Sequence, residues 1–365
     1  LGDDLHAKRV LSLASGVVGV LHSASLAISS IGQGLAQAQG LAPKHATKQI
    51  DRLLSNKGLV LDDLLPLWVG FVLAQRPTIL VTLDWTDFDD DDQSTLALNL
   101  VTTHGRATPL VWKTVIKSKL KDWRNRHEDE LLDRFHDMLP LGVHVTLLAD
   151  RGFGDQKLYT LLGKFGFDFV IRFRGVIRVT LPDGTSFKAR DLVPANGRPK
   201  LFRDVTVTAK ATPVAGVVCV QAPGMKDPWH LATSLRSLTA SQLVGLYGRR
   251  FSTEENFRDT KDPRFGLGLS AVHLGKPERR DRLLLLSAMA QVLLTMLGAA
   301  SEEVGLDRML KVNTAKKRTH SLFRQGMYWY GALRTMPEAW LRPLMESFGK
   351  LVSDHPFFSK IFGVI

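Results

Sequence analysis

The chain has 365 residues, 44% of them apolar and 23% charged. That balance excludes wholesale disorder and low-complexity structure, and the length gives two or three domains as a prior. Lys and Arg number 48 against 36 Asp and Glu, a formal charge of +12, so a polyanion is the leading partner and a merely basic protein the competing reading. Cys219 is the single cysteine; a disulfide framework and a Cys-based zinc site are excluded, and a reducing, cytoplasmic compartment fits.

The chain opens at Leu1 rather than a methionine, as expected of a trimmed start. Residues 8–38 superficially match a secretory signal: Lys8-Arg9, an apolar stretch, then Ala36-Gln-Ala38. Ser12, Ser15, His22, Ser23 and Ser25 interrupt the stretch, and Asp3 and Asp4 precede it. Apolar positions 10, 13, 17, 20 and 21 follow helical spacing, which favours an amphipathic or buried helix. Residues 1–77 read as a helical N-terminal region. Within it Lys44, Lys48 and Arg52 stand four apart, on one helix face. Such a stripe is either a plain solvated face or a phosphate contact.

The period then changes. Residues 78–84, 95–102 and 107–113 are β-rich, with His104-Gly105-Arg106 as a turn between the last two. Residues 126–138 read as a helix, 143–149 as a buried strand, 155–164 as a helix and 168–173 as a strand. The pattern over 78–174 is a mixed α/β layer. Residues 175–227 hold short β-like pieces separated by Pro182-Asp-Gly184 and Pro194-Ala-Asn-Gly197, a β-rich insertion. The α/β unit resumes over 228–300. A strand at 229–233 leads to Thr239-Ala-Ser-Gln242, a capping box for one long helix ending near Lys261-Asp262, before Pro263. Residues 283–300 carry no formal charge and are barely long enough to span a bilayer; with no second candidate, a buried core helix of a soluble protein is expected. Residues 301–365 read as a helical C-terminal region in which Met327-Tyr-Trp-Tyr330 and Trp340 are either a dimer surface or plain core.

Asp84 and Asp150 each stand at the end of an apolar strand, where α/β sheets place functional groups and where turn-capping Asp is also common. The helix from 240 adds Tyr247, Arg250, Glu254 and Lys261. Their offsets of 3, 7 and 14 fall within roughly 60° on a helix at ~100° per residue. Leu243 and Phe251 flank that stripe, so it is expected to be half buried. Ion pairing would explain Arg250 and Glu254 alone, not a phenol and an ammonium in line with them. Three carboxylates without a Cys or His set point to Mg2+ or Mn2+ rather than zinc. Two such ions ~3.5–4 Å apart can serve an in-line phosphoryl displacement.

The four-residue spacing Tyr247-x2-Arg250-x3-Glu254-x6-Lys261 resembles the signature of the insertion-sequence-four family of bacterial transposases, relatives of the transposon-five transposase. The resemblance spans residues 44–326. It implies a ribonuclease-H-like catalytic domain with an Asp-Asp-Glu triad, matched by Asp84, Asp150 (in Ala149-Asp-Arg-Gly-Phe153) and Glu254. The β-rich insertion lies between the second and third of these. Gln49–Asn56 is similar to the end-binding helix region, and Arg318–Gly326 also looks familial. Cut-and-paste chemistry at element ends and target DNA is implied, with two Mg2+ or Mn2+ ions and a homodimeric synaptic complex in a prokaryotic cytoplasm, at the nucleoid. Tyr247, Arg250, Lys261 and Arg151 would hold DNA; Trp229 would stack on a base or belong to the core. A catalytically silent DNA-binding relative, or another ribonuclease-H-like nuclease, is the alternative.

Three other motifs carry less. Six Asp in positions 84–92 lack the glycine and terminal Glu of a calcium loop, and are expected to be a solvated loop or an auxiliary attractor of metal. His127-Glu-Asp-Glu-Leu131 misses the second ligand of a zinc protease, and Gly163-Lys164 misses the upstream glycine of a phosphate loop.

Overall fold

In a computed structural model, the protein is described over residues 7–354 apart from Thr103 and Gly105. Leu1, Asp3, Asp4, the Gly105 of the expected turn and the last eleven positions of the C-terminal region, 355–365, lie outside the described residues.

The N-terminal region is helical: α1 (Ala7–Ser23), α2 (Ile28–Gln39), α3 (Pro43–Ser55) and α4 (Leu61–Leu73). The stretch that mimics a signal is two helices bent by 97°. They meet through small residues, since a Cβ on Gly19 would fall 2.6 Å from the Ile31 carbonyl oxygen. On α3, Ala46, Ile50, Leu53 and Leu54 are buried while Lys44, Lys48 and Arg52 are exposed.

The strands are β1 (Thr78–Phe88), β2 (Gln93–Val101), β3 (Ala107–Ile116), β4 (His144–Ala149), β5 (Asp168–Arg172), β6 (Arg178–Thr180), β7 (Ser186–Lys188), β8 (Lys200–Val207), β9 (Thr212–Val220) and β10 (Trp229–Thr233). They form one sheet in the order β3-β2-β1-β4-β5-β10-β9-β8-β6-β7. The hairpins β1–β2–β3 are antiparallel, β4 runs parallel to β1, and β5 parallel to β4. The β-rich segment at 175–227 is continuous with that sheet, because β10 bonds β5 on one side and β9 on the other. The sheet therefore mixes parallel and antiparallel pairs and is flanked by helical N- and C-terminal regions.

Between the strands lie α5 (Arg124–Met138) and α6 (Gln156–Lys164). After β10 come α7 (Ala240–Gly248) and α8 (Phe251–Lys261), then α9 (Pro277–Glu303), α10 (Leu322–Ala332) and α11 (Glu338–Ser353). Thr82, Asp84 and Thr86 of β1 face α8, and a small cavity shows α9 beside it on that face. Trp85 points the other way and donates its indole N–H to Glu128 of α5 at 2.8 Å. The apolar helix α9 is the one helix, among the described residues, long and apolar enough to cross a membrane, and 72% of its apolar window is buried inside the protein. It crosses α10 almost at backbone contact: a Cβ on Gly326 would lie 1.8 Å from the Leu294 carbonyl oxygen. Trp329 is buried in that C-terminal cluster with Met327 and Tyr330 packed against core, whereas Tyr328 and Trp340 are exposed.

Candidate active site

Asp84 does not end its strand. β1 continues to Phe88, because beyond Asp84 it still pairs with β2 through the hairpin. The β4 side differs: the parallel ladder stops at Leu83 and Ala149. Asp84 and Asp150 are therefore the first residues past the last rung of that ladder, one on each strand. Backbone N–H groups fix both carboxylates, Trp85 donating to Asp84 at 2.9 Å and Gly152 to Asp150 at 2.7 Å. Asp150 is thus a cap for the short turn 151–153, as an Asp after a strand often is, while standing beside Asp84.

The third carboxylate arrives on α8. The capping box at Thr239 and Gln242 is formed, but the single long helix expected after it is two. α7 stops at Gly248, and Arg249 and Arg250 donate their backbone N–H to carbonyls three residues back, which tightens the joint. Arg250 sits at that joint. Its guanidinium donates to Asp84 at 3.2 Å and to Glu254 at 2.6 Å, linking carboxylates 170 positions apart in sequence. Its side chain is 11% exposed, and aromatic rings of Phe251 and Tyr247 lie 5.2 and 6.0 Å from its Cζ.

Burial pushes the Asp84 carboxyl up to about 6; Arg250 opposes that rise, and the charges of Asp150 and Glu254 add to it. Asp84 thus feels both other acids. Burial likewise raises the Tyr247 phenol, with Arg250 holding it back.

The remaining members of the expected set divide. Tyr247 is 2% exposed and packs edge-on against Trp229, ring centroids 5.0 Å apart. Trp229 is half-buried and also faces Phe251 at 6.0 Å. Arg151 is exposed beside Asp150. Lys261 shares α8 with Glu254, and its Nζ reaches past the carboxylates, donating to Thr86 Oγ1 at 2.7 Å and to the Asp87 carbonyl at 2.8 Å. Burial lowers its pKa. Lys44, Lys48 and Arg52 stay on α3, with no hydrogen bond or ion pair to the carboxylates among the described residues.

The aspartate run is not a freely solvated loop. Lys117 pairs with Asp87 at 2.7 Å and Asp89 at 2.5 Å; Asp91 accepts from Arg280 and from the Leu274 N–H, and Asp92 from the Ser118 N–H. Asp91 is tied to the start of α9, Asp87, Asp89 and Asp92 to Lys117 and Ser118 just after β3, and Asp90 stays exposed. The residues missed by pattern reading are Thr82 and Thr253, which lock α8 to β1, and Glu128, buried behind Trp85. Burial raises Glu128 to about 7, although Trp85 and Arg124 bond it. Glu128 belongs to the broken zinc-protease pattern; only its position under the sheet gives it a role.

Among the described residues no three His, Cys, Asp or Glu side chains stand close enough to hold one ion as they are. The donor chemistry nonetheless suits a hard cation: Asp84, its pKa raised, feels the charges of both Asp150 and Glu254, with the Arg250 guanidinium as counter-charge. No curated protein matches the chain. Residues 114–293 match the family model described as transposase DDE domain, a span that takes in Asp150 and Glu254 and begins beyond Asp84. Transposases of this class generally use divalent metal ions and bind DNA. This chain carries a transposase DDE domain over residues 114–293.

Proposed function

We propose that the protein is the transposase of a bacterial insertion sequence of the insertion-sequence-four type, cutting DNA at the element's ends and joining the freed 3′-OH to target DNA. The observation that carries this reading is that Arg250 on α8 bridges Asp84 and Glu254, while Asp150 on the adjacent parallel strand lies close enough for its charge to act on Asp84. The strand order β3-β2-β1-β4-β5, antiparallel then parallel, supports a ribonuclease-H-like core. Asp84, Asp150 and Glu254 would hold the divalent ions. When bound, such ions supply a water nucleophile at neutral pH and charge for the leaving oxygen.

The chain's own residues do the rest. Backbone amides hold Asp84 and Asp150 in place before DNA arrives, which removes part of the ordering cost. Arg250 between Asp84 and Glu254, with exposed Phe251 next to it in the chain and exposed Arg151 next to Asp150, suits a phosphate backbone with an unstacked base. Lys261 holds the β1–β2 hairpin against α8, so its part is positioning. The exposed cations of α3 suit phosphates further along the element's end. Two ends must be paired for this reaction, so a homodimer is the working form, in the cytoplasm at the nucleoid.

The test uses the full chain with labelled duplexes carrying the inverted repeats that bracket its gene, in Mg2+ or Mn2+. Nicking at the repeat boundary is expected. Asp84→Asn, Asp150→Asn and Glu254→Gln should each lower it beyond the ~10–100-fold that loss of an outer-shell partner costs a metal site, while binding of the same duplex persists. Undiminished cleavage by any of the three removes that residue from the site.

A further inference from the structure

Arg250 occupies the place where Asp84 and Glu254 would have to turn toward a cation. Its Nη1 and Nη2 take one oxygen of each carboxylate, and its buried Nε has no hydrogen-bond partner among the described residues. A guanidinium bonded at both ends to carboxylates, yet leaving a third donor unsatisfied, is held by charge rather than by a complete hydrogen-bond set. The guanidinium also lies over the rings of Phe251 and Tyr247, at 5.2 and 6.0 Å from its Cζ, so π faces supplement the two carboxylates. The arrangement also accounts for the want of a ready cation cluster: two of the three acids are engaged by Arg250.

We propose that Arg250 is the resting counter-ion of the acidic site and competes directly with divalent cations for Asp84 and Glu254. Cation binding then frees the guanidinium, which becomes available to a DNA phosphate at the same place. This rests on the reading of the three carboxylates as cation ligands. It couples the two events: metal raises affinity for DNA, and DNA phosphate, by drawing Arg250 away, raises affinity for metal by the same factor.

The experiment measures Mn2+ binding to the full chain, without DNA, by the electron paramagnetic resonance of free Mn2+. Arg250→Lys keeps the charge and loses the two-ended fork. If the fork competes, Arg250→Lys binds Mn2+ more tightly than the wild type, by about fivefold or more, and Arg250→Ala at least as tightly again. If proximity of a positive charge were all that mattered, Arg250→Lys would match the wild type, and the proposal fails. In the wild-type chain, Mg2+ titration should shift the Arg250 Nε–Hε resonance with the midpoint of cation binding; an unmoved resonance at saturation overturns the proposal without any variant. Asp84→Asn is the separate control: if it binds Mn2+ as the wild type does, the carboxylate reading fails instead.

Discussion

Thr82 and Thr253, 171 residues apart, share a hydroxyl–hydroxyl hydrogen bond of 2.6 Å with no solvent access to either residue. That bond pins α8 to β1 one residue from Glu254 and two from Asp84. It sets how the helix lies over the strand and so where the third carboxylate arrives.

Removing one of the two hydroxyls leaves its partner buried and unpaired. Thr253→Val should cost about 1–3 kcal/mol, and Thr82→Val a similar amount. The double variant Thr82→Val/Thr253→Val replaces both by the same shape and should recover most of the loss. Urea unfolding of the four proteins measures this; a double variant as unstable as the sum of the singles would show that the pair is not an isolated bond.

Asp84 and Glu128, two of the carboxyls that burial raises, each make stability fall as pH rises. Asp84 has a folded pKa of about 6 against ~3.9 for a free Asp. Between those values the folded form keeps a proton that the unfolded chain has lost, so stability declines across that window and is level above it. Asp84→Asn cannot titrate, and Arg250 keeps Glu254. Its stability relative to the wild type should rise by on the order of 2 kcal/mol between pH 4 and 7. Glu128, raised to about 7 by burial, should behave likewise over about pH 4.3–7; Glu128→Gln retains an acceptor for the Trp85 indole. Denaturation midpoints at stepped pH decide both, and a gap that stays constant through these windows refutes the assignment.

The α9–α10 crossing tolerates no side chain. A Cβ at Gly298 would lie 2.0 Å from the Leu322 carbonyl oxygen, matching the contact of Gly326 with Leu294. Both obstacles are backbone, which cannot rotate aside. Gly326→Ala and Gly298→Ala should each destabilise by about 1–3 kcal/mol or more through overpacking, despite the better helix propensity of Ala. Thermal midpoints at or above the wild type would contradict so close a crossing.

The exposed stripe of α3 tests through salt. If Lys44, Lys48 and Arg52 each meet a phosphate, the triple alanine variant should flatten the plot of log K against log salt by about 0.9 per contact, near 2.7 in all. Nitrocellulose filter binding between 50 and 200 mM salt gives the slope. An unchanged slope makes the stripe a solvated face.

The sequence alone determined the local features. Helical spacing marked α1 to α4, the strand at 143–149 and its terminal Asp150 were legible, and Thr239 with Gln242 announced the start of α7. These are short-range: a period records which face is buried, and a cap is satisfied within one turn. The tertiary structure decided which distant groups meet. It ran β1 on past Asp84, joined the 175–227 strands to the main sheet, broke the expected helix at Arg249–Arg250, tied Lys261 to Thr86 and Asp87, and set Arg250 between Asp84 and Glu254. The Arg250–Glu254 pair is an i,i+4 contact legible in sequence, but the reach of Arg250 to Asp84, of Lys261 to β1 and of β10 to β5 joins segments far apart in the chain, where sequence neighbours do not carry the information.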